Sequence, residues 1–432
     1  MTFADREFGE KPNPSDNVVQ IPTSTEIASY GHRLEDHALY GLPGEFVRMI
    51  LPHTEADPAA LLVSLLVGFG SIIGRNAFFQ VEGTKHYGNL FAVLVGGSST
   101  GRKGTSWGRV REVLGLTDPE WLGRIQSGLS SGEGLITAAS SPENGKGDPR
   151  VLVIQPEFAS TLAVMGRQGN ILSPIIRESW DSGSLQTMVR QNPLRVDGAH
   201  VSIIGHITQE ELRRNLNSTE AANGFANRFL WIRSGRSKYL PDGGCLADSE
   251  IAEFAGKLRP PVAFARQTLQ LQRDSGARDL WHYVYRELSD GASALVGAVT
   301  SRAAAQVLRL SVLYALMDSS PLIRVEHLEA ALAVWHYAEK SAEWIFGSAV
   351  GDPVADSILQ MLRAKPIGMS RSEISAAFSR NQTAGRIDQA LQSLVALGLA
   401  FATPQPTGGR TAEIWKAIPA ETKNTKKVEI FR

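Results

Sequence analysis

A chain of 432 residues is long enough for two or three domains, at about 150 residues each. Its 44 basic side chains equal its 44 acidic ones, which excludes a general polyanion binder of the histone type but leaves room for a local basic patch. The single cysteine, Cys245, excludes a disulfide framework and a cysteine-based zinc site, and it is typical of a protein of the reducing cytoplasm.

The first part of the chain predicts a polar arm followed by a buried helix. Residues 1–30 carry Pro12, Pro14 and Pro22 and lack the apolar stretch of a signal peptide, so we expect a disordered arm. The longest apolar run, 59–73, is interrupted by serine and glycine and is shorter than the ~20 residues that span a bilayer. It follows an Asp-Pro pair and ends at a glycine, which predicts a buried helix and no membrane partner.

Strands and helices alternate in the next part of the chain. Runs rich in β-branched and aromatic residues predict strands at 77–83, 90–96, 151–159, 200–208 and 229–236. Capping residues and apolar spacing predict helices at 106–114, 131–140, 160–165 and 209–216. Because apolar strands alternate with helices, we expect an α/β fold with a mostly parallel sheet covered on both faces.

The last part of the chain changes pattern twice. From about 250 to 347 apolar residues recur at three- and four-residue spacing, which predicts a wholly helical segment. After a Gly-Asp-Pro break, three helices (354–363, 370–378 and 383–397) and two short strands around a Pro/Gly-rich turn predict a winged helix. The predicted domains are a disordered arm (1–30), a P-loop-type α/β core with N-terminal helices (31–250), a helical lid (251–350), a winged-helix domain (351–420) and a basic tail (421–432).

The segment VLVGGSSTGRKGTSWGRV, residues 93–110, has the form of a phosphate-binding loop with two departures. A P-loop reads G-x-x-x-x-G-K-[ST], and counting from Gly97 places the lysine at Lys103. Arg102 then stands at the second glycine, and Gly104 at the hydroxyl. Such a lysine reaches phosphate oxygens while backbone N–H groups hold the rest, and the alternative is a tight structural turn. The predicted nucleotide-binding residues are Gly97, Ser98, Ser99, Thr100, Gly101, Arg102, Lys103, Gly104, Thr105 and Ser106.

A site for ATP also needs Mg²⁺ ligands and an acid. Since residue 104 is a glycine, the loop hydroxyl would come from Thr105 or Ser106, and we favour Thr105 because the glycine lets the chain bend. The strand VLVIQPEFA ends in Glu157, which would hold Mg²⁺ through water or polarise the attacking water. Gln155 stands where an aspartate is usual, and the alternative is that Glu157 is a solvated loop residue.

Polar residues at two further strand ends complete the predicted site. Thr208 would contact the γ-phosphate or the lytic water, whereas His206 is predicted to be a buried histidine. Arg228 and Arg236 flank the strand 229–236. In ring ATPases an arginine from a neighbouring subunit stabilises the transition state, and the alternative is that both arginines bind carbonyls or acids. Asp181, in a Gly/Ser loop, would contact substrate or only turn the chain.

The C-terminal segment is the predicted DNA-binding part. Residues 352–432 contain 11 Lys and Arg against 7 Asp and Glu, a net charge of +4. Short polar side chains and arginine at a helix start suit phosphate and base-edge contacts. Winged helices also dock proteins, so a protein partner is the alternative. The predicted DNA contacts are Asn381, Gln382, Thr383, Arg386, Arg410, Lys426 and Lys427.

Several motifs in order resemble a P-loop ATPase family of phages, plasmids and integrated elements, whose members are often described as primase-helicase or replication-associated proteins. They are GRKGTSWGRV, SGEGLI, EFASTL, SWDSG, IIGHITQEEL, NGFANRFLW and LRLSVLYALMD, within about residues 40–347. The resemblance implies a RecA-like or AAA+-like core, in which the Arg-Lys-Gly-Thr loop is a usual variant. It also implies ATP binding and a ring of identical subunits such as a hexamer, with nucleotide contact at Lys103, an acid at Glu157, a sensor at Thr208 and a finger arginine at Arg228.

These observations predict a cytoplasmic, oligomeric ATPase of a mobile element that couples ATP hydrolysis to DNA unwinding or translocation during replication. No primase metal cluster is visible in the sequence, so priming is not expected. Two alternatives stay open. One is a non-hydrolysing DNA-binding or assembly protein in which ATP is a structural ligand, and the other is a transcriptional regulator built around the winged helix.

Overall fold

A computed structural model of the protein describes residues 33–97, 101–140, 148–188, 192–216, 220–221, 223–290, 294–347, 352–396, 398–405 and 412–418. The predicted arm (1–30) and basic tail (421–432) lie outside these residues. The helices described are α1 (Gly41–Ile50), α2 (Pro58–Ile73), α3 (Lys103–Thr117), α4 (Gly132–Ala139), α5 (Phe158–Met165), α6 (Leu172–Asp181), α7 (Gln209–Asn215), α8 (Asp248–Gln267), α9 (Ser275–Ser289), α10 (Ala294–Thr300), α11 (Ala303–Met317), α12 (Val325–Phe346), α13 (Pro353–Ala364), α14 (Arg371–Ala377) and α15 (Ala384–Ala396). The strands described are β1 (Phe78–Val81), β2 (Thr84–Tyr87), β3 (Phe91–Val95), β4 (Ile125–Gln126), β5 (Arg150–Gln155), β6 (Leu185–Gln186), β7 (Arg195–Val196), β8 (His200–Ile207), β9 (Phe229–Arg233), β10 (Gln270–Arg273), β11 (Leu322–Ile323), β12 (Met369–Ser370), β13 (Ala400–Gln405) and β14 (Ala412–Ala417).

The centre of the fold is a five-stranded parallel sheet in the order β4-β5-β8-β3-β9. Every residue of β3 and β8 is buried, as expected of parallel strands with helices on both faces. The predicted α/β fold with a parallel sheet is therefore confirmed.

The two faces of this sheet carry different helices. Alternate residues of β3 point to opposite faces: Ala92 and Leu94 join the hydrophobic cluster of α2 and α3, whereas Val93 and Val95 join the cluster of α4, α5 and α6. The chain leaves β3 through α3 for the far edge of the sheet, returns through β5 and β8, and then passes β3 to reach β9. The connections therefore change direction and face beside β3. In open α/β sheets, ligands bind at the carboxyl ends of the strands at such a switch point.

The helix α2 is the buried helix that the longest apolar run predicts. The Asp57 carboxylate caps it by accepting from the Ala59 N–H, and Gly74 ends it at φ 77°. Every residue from 59 to 73 is buried. Among the helices described, none is long and apolar enough to cross a membrane.

The prediction of a wholly helical segment between 250 and 347 is wrong at two places. The strands β10 and β11 pair side by side, and β10 also pairs with β1, which gives the mixed sheet β11-β10-β1-β2. Both strands are short, and in β10 only Leu271 is buried, so the sequence carries no run long enough to reveal a period of two. The helices of this segment share the hydrophobic cluster of α2 and α3.

Residues 352–418 form a small unit with a hydrophobic cluster of its own. Its three helices, α13 to α15, begin and end within one residue of the predicted bounds, and its strands form the antiparallel sheet β12-β14-β13. The cluster is built from apolar residues on one side of each helix, with Trp415 of β14 closing it. The turn between β13 and β14, which includes Arg410, lies outside the described residues.

Candidate functional site

The glycine-rich loop, residues 96–102, connects β3 to α3. Of its predicted ligands, Ser98, Ser99 and Thr100 lie outside the described residues. At Gly96 a Cβ atom would lie 2.0 Å from the carbonyl oxygen of Ser234, which follows β9. The Ser234 hydroxyl also donates to the Gly101 carbonyl at 3.1 Å. The loop is therefore packed against the chain after β9 so closely that position 96 accepts only glycine.

Arg102 adopts the conformation that the usual glycine would provide. Its backbone lies in the left-handed region, at φ 45° and ψ 25°, where a residue with a side chain is disfavoured by about 1–2 kcal/mol. Its guanidinium lies 2.6 Å from the Glu55 carboxylate. Arginine is therefore accommodated at the glycine position, since the backbone takes the turn and an ion pair holds the side chain.

Lys103, the first residue of α3, folds back over the loop. Its Nζ donates to the Gly96 carbonyl at 3.0 Å and to the Gly97 carbonyl at 2.8 Å. Burial lowers the pKa of the Lys103 ammonium, while the charge of Glu211 acts in the opposite direction. A half-buried positive charge therefore lies at the N-terminus of α3, where backbone N–H groups also point outward.

The two hydroxyls that follow Lys103 differ in orientation. Ser106 is fully buried, and its Oγ donates to the Lys103 carbonyl at 2.7 Å within the first turn of the helix. Thr105 is exposed. Of the two predicted candidates for a Mg²⁺ ligand, Thr105 is the one exposed to solvent, whereas the Ser106 hydroxyl is hydrogen-bonded within the helix.

Thr208 follows β8, the strand beside β3, and caps α7. Its Oγ1 lies 2.8 Å from the Glu211 carboxylate, and the Glu211 N–H donates back to Oγ1 at 3.2 Å. The Thr208 N–H, which donates to the Glu211 carboxylate at 3.1 Å, and then the Thr208 hydroxyl lower the pKa of Glu211, with a smaller contribution from the charge of Lys103. The sensor role of Thr208 stays a prediction, and the structure adds Glu211 as an acid coupled to the lysine. The sequence T-Q-E-E is a capping-box pattern, which would have placed Glu211 beside Thr208.

Gln155 and Glu157 lie at the carboxyl end of β5 and differ in role. The buried Gln155 accepts from the N–H groups of Gly128 and Leu129 at 3.1 and 3.2 Å, so it fixes the turn before α4. Glu157 is exposed and precedes α5 without a side-chain capping bond. The amide at position 155 is therefore structural, and Glu157 is the acid free to face solvent at this strand end.

Strand register places the end of β5 near the end of β3. Gln155 and Val93 are both partners of Gly205 in β8, so the last residue of β5 is level with Val93. With β8 between them, β5 and β3 are about 10 Å apart. Glu157 follows β5 in the turn before α5, so the glycine-rich loop, Glu211 and Glu157 all follow strands at the carboxyl edge of the sheet.

Arg228 lies at the opposite edge of the sheet. It precedes β9, whose first residue pairs with the first residue of β3. Its side chain is 5% exposed, pairs with the Asp181 carboxylate and donates to the Gly224 carbonyl. The finger role of Arg228 stays a prediction, and within this chain its guanidinium is paired with Asp181. Arg236, by contrast, lies on the loop side of β9, 3.7 Å from Glu55.

The predicted DNA contacts are partly available for binding. Asn381 and Thr383 are exposed and Gln382 is half-buried before α15. Arg386 instead pairs with Asp352 through both terminal nitrogens, one of them at 3.0 Å. Its guanidinium therefore ties α15 to the start of α13, which competes with a DNA contact. Arg410, Lys426 and Lys427 lie outside the described residues.

Neither known proteins nor the arrangement of metal-ligating side chains assigns a function to the chain. No model of a known protein family matches it, and a search of curated proteins finds no match. The described residues contain no group of three or more His, Cys, Asp and Glu side chains placed to hold a metal ion. Mg²⁺ bound with a nucleotide takes most of its ligands from phosphates and water, so the predicted Thr105 and Glu157 site does not require such a group.

Proposed function

We propose that the glycine-rich loop binds the phosphates of ATP with Mg²⁺ and that the protein hydrolyses it. The observation that carries this proposal is the Lys103 ammonium, which lies over the loop carbonyls at the N-terminus of α3. This position is beside the point where the sheet connections change direction, the usual place for a ligand in such sheets.

Each residue at this edge has a part in the proposed reaction. Lys103 exchanges its two carbonyl partners for phosphate oxygens, and the N–H groups of the first turn of α3 hold the same phosphates. Thr105 supplies a hydroxyl toward Mg²⁺, and Glu157 orients the attacking water. Bound MgATP supplies the phosphoanhydride bond that is cleaved. Glu211, whose negative charge acts on the pKa of Lys103, is the second candidate for the acid that orients the water.

The wider function that we propose is that of a cytoplasmic ATPase of a mobile element, acting on DNA during replication as a homo-oligomer such as a hexamer. Its support is the motif order described for the P-loop ATPase family and the helix and strand order of residues 352–418, which is the order expected of a winged helix. Asn381, Gln382 and Thr383 are the DNA contacts that the described surface leaves available.

A second candidate function is a protein that binds ATP without hydrolysing it. The observation that favours it is Gln155, because the position where an acid is usual holds a buried amide committed to the turn before α4. In that case ATP would stabilise an assembly on DNA rather than drive a cycle.

Equilibrium binding of a fluorescent ATP analogue with Mg²⁺ tests the proposed site. Lys103→Ala should weaken binding at least tenfold, because alanine has no ammonium to pair with the phosphates. Lys257→Ala is the matched control, since Lys257 is exposed and its nearest acid in another helix is Glu45, 3.5 Å away. If the Lys103→Ala and control proteins, both folded by circular dichroism, bind the analogue with equal affinity, the loop is not the ATP site.

Steady-state ATP turnover of two further variants separates the two candidate functions. If Glu157 orients the water, Glu157→Gln should lower turnover by ~10²-fold or more with binding retained, while Glu211→Gln has a small effect. The reverse order would transfer the role to Glu211. Binding without turnover in the wild-type protein, with and without DNA, would support the non-hydrolysing alternative.

A further inference from the structure

A cavity lies at the amino-terminal edge of the sheet, opposite the glycine-rich loop. Its volume is 540 Å³, within the range of about 300–1,000 Å³ that small-molecule sites occupy. Four parts of the chain enclose it: the segment after α2, the hairpin that contains β2, the C-terminal end of α6, and the start of α11. The residues lining it are Arg75, Gly83, Thr84, Lys85, His86, Tyr87, Trp180, Asp181, Ser182, Arg302 and Arg309.

The charge of this cavity is strongly positive. Of its described lining residues, four are cationic, and Asp181 is the one carboxylate. Asp181 already pairs with Arg302 at 3.2 Å and with Arg228 behind it. Among the described residues no carboxylate lies within ion-pair distance of Arg75, Lys85 or Arg309. The positive charge is therefore left without an equal negative charge.

Helix geometry explains part of this arrangement. Arg309 donates to the Trp180 carbonyl at 2.7 Å and to the Asn89 carbonyl at 2.8 Å, and Arg75 donates to the Ser182 carbonyl. The C-terminal end of α6 carries partial negative charge, so these contacts stabilise it. They also hold two guanidiniums in fixed positions. Carbonyl partners do not cancel a full positive charge, and they do not account for Lys85 or Arg302.

An aromatic ring lies in the wall of the same space. Guanidiniums surround the Trp180 ring, with the Arg309 Cζ 3.6 Å and the Arg302 Cζ 5.1 Å from its centroid. Trp180 and Arg309 are each 1% exposed, so both lie beneath the cavity surface. The guanidiniums open to the cavity are therefore those of the half-buried Arg75 and Arg302.

We propose that this cavity binds the phosphate group of a mononucleotide-sized ligand, carried by a free nucleotide or by a single-stranded nucleic acid. Fixed guanidiniums suit phosphate oxygens, and the exposed Lys85 adds a further positive charge to the same lining. The cavity lies about one strand length, roughly 17 Å, from the glycine-rich loop. The proposal does not rest on ATP binding at Lys103.

Two probes in the Lys103→Ala background test this site without interference from the loop. They are a fluorescent ADP analogue and a fluorescein-labelled oligothymidylate, each titrated at low salt. Lys85→Ala is the first variant, because Lys85 is exposed on an edge strand and its replacement leaves the fold intact. Arg302→Ala is the second, and Lys257→Ala is the control.

We expect both variants to weaken at least one probe by fivefold or more relative to the control. Weakening of the ADP analogue identifies a free nucleotide, and weakening of the oligonucleotide alone identifies nucleic acid. If Lys85→Ala and Arg302→Ala bind both probes as the control does, the proposal is overturned. If Lys103→Ala leaves ATP binding unchanged, that result contradicts the proposed ATP site at the carboxyl edge of the sheet and does not bear on this cavity.

Discussion

Single residues decide whether the glycine-rich loop can adopt the backbone conformation of a phosphate-binding loop. Arg102 occupies a left-handed position at a cost of about 1–2 kcal/mol, and its partly exposed ion pair with Glu55 offsets at most about 1 kcal/mol of that. The net cost is small beside the stability of a domain. The departure from the motif is therefore tolerated. The sequence alone does not show this, because Glu55, the partner of Arg102, lies 47 positions earlier.

A second residue near the loop has a measurable consequence for stability. His206, on β8 beside Leu94, is 5% exposed, and its Nε2 has no hydrogen-bond partner among the described residues. Burial lowers the pKa of His206 to about 4, and the positive charge of Lys103 acts in the same direction. The histidine predicted to be buried is buried, and it is neutral at physiological pH.

We predict that His206 makes the protein less stable in mild acid. A histidine with a lower pKa in the folded chain than in the unfolded chain resists protonation only when folded. The free energy of unfolding therefore falls as the pH drops from about 6.5 toward 4, by about 2 kcal/mol between pH 7 and 5 for a shift of this size. Urea unfolding at the two pH values should show a smaller loss for His206→Leu than for the wild type. An exposed histidine variant, His282→Leu, should keep the wild-type loss; an unchanged loss in His206→Leu would refute the assignment.

At the scale of elements, a partly buried ion pair joins α15 to the start of α13 within residues 352–418. The Asp352 carboxylate caps α13 and also receives the guanidinium of Arg386 from α15. Burial alone would raise the pKa of Asp352, but the hydrogen bonds from Arg386 and from the α13 N–H groups outweigh it, and the pKa is lowered. The arginine that the sequence assigns to DNA thus has a partner within the unit.

We predict that Arg386→Ala destabilises residues 352–418 more than it weakens DNA binding. Removing the arginine leaves a carboxylate whose burial is no longer compensated, at a cost of about 1–3 kcal/mol. Thermal unfolding should show a lower midpoint, and fluorescence anisotropy should show DNA affinity within twofold of the wild type. Asn381→Ala, at an exposed position before the same helix, should show the opposite pattern. A large loss of affinity in Arg386→Ala at unchanged stability would restore the predicted DNA contact.

Elements with strong local signals were predictable, and those held by distant partners were not. The helices α2 and α4 begin at the predicted caps, Asp57 and Ser131, because capping is a contact between near neighbours. The strands β10 and β11 were missed because β10 pairs with β1, about 190 residues earlier, and β11 pairs with β10. The site follows the same rule: Lys103 and Glu157 lie at the predicted edge, whereas the pairing of Arg228 with Asp181, 47 positions earlier, has no local signal in the sequence.

At the scale of the whole molecule, the C-terminal part has its own hydrophobic cluster, but most of its net positive charge lies on residues that follow or interrupt the described structure. Residues 352–418 have their own hydrophobic cluster. The described residues from 352 onward contain six Lys and Arg against five Asp and Glu. Most of the net +4 of residues 352–432 therefore belongs to residues outside the described structure, including Lys426 and Lys427.

We predict that removing residues 352–432 lowers DNA affinity and flattens its dependence on salt. For every phosphate that the shortened protein no longer neutralises, the slope of log affinity against log salt should fall by about 0.7–0.9. A shorter truncation that removes only residues 419–432 should account for most of this change. Anisotropy titrations at several salt concentrations measure both slopes. An unchanged slope in the longer truncation would place DNA binding in residues 33–347, where the positive cavity is the first surface to examine.

The close approach of Gly96 to Ser234 has a mechanical consequence. The Ser234 N–H donates to the Val95 carbonyl at 2.8 Å, and the next N–H, of Gly235, donates to the Asp57 carboxylate at 2.9 Å. On the other side, the Tyr337 hydroxyl of α12 donates to the Arg233 carbonyl at 2.9 Å. Residues 233–235 therefore cannot shift alone, because β3, the cap of α2 and α12 are all hydrogen-bonded to them. Exchange of the Ser234 amide hydrogen with solvent consequently reports any movement that separates this segment from the end of β3.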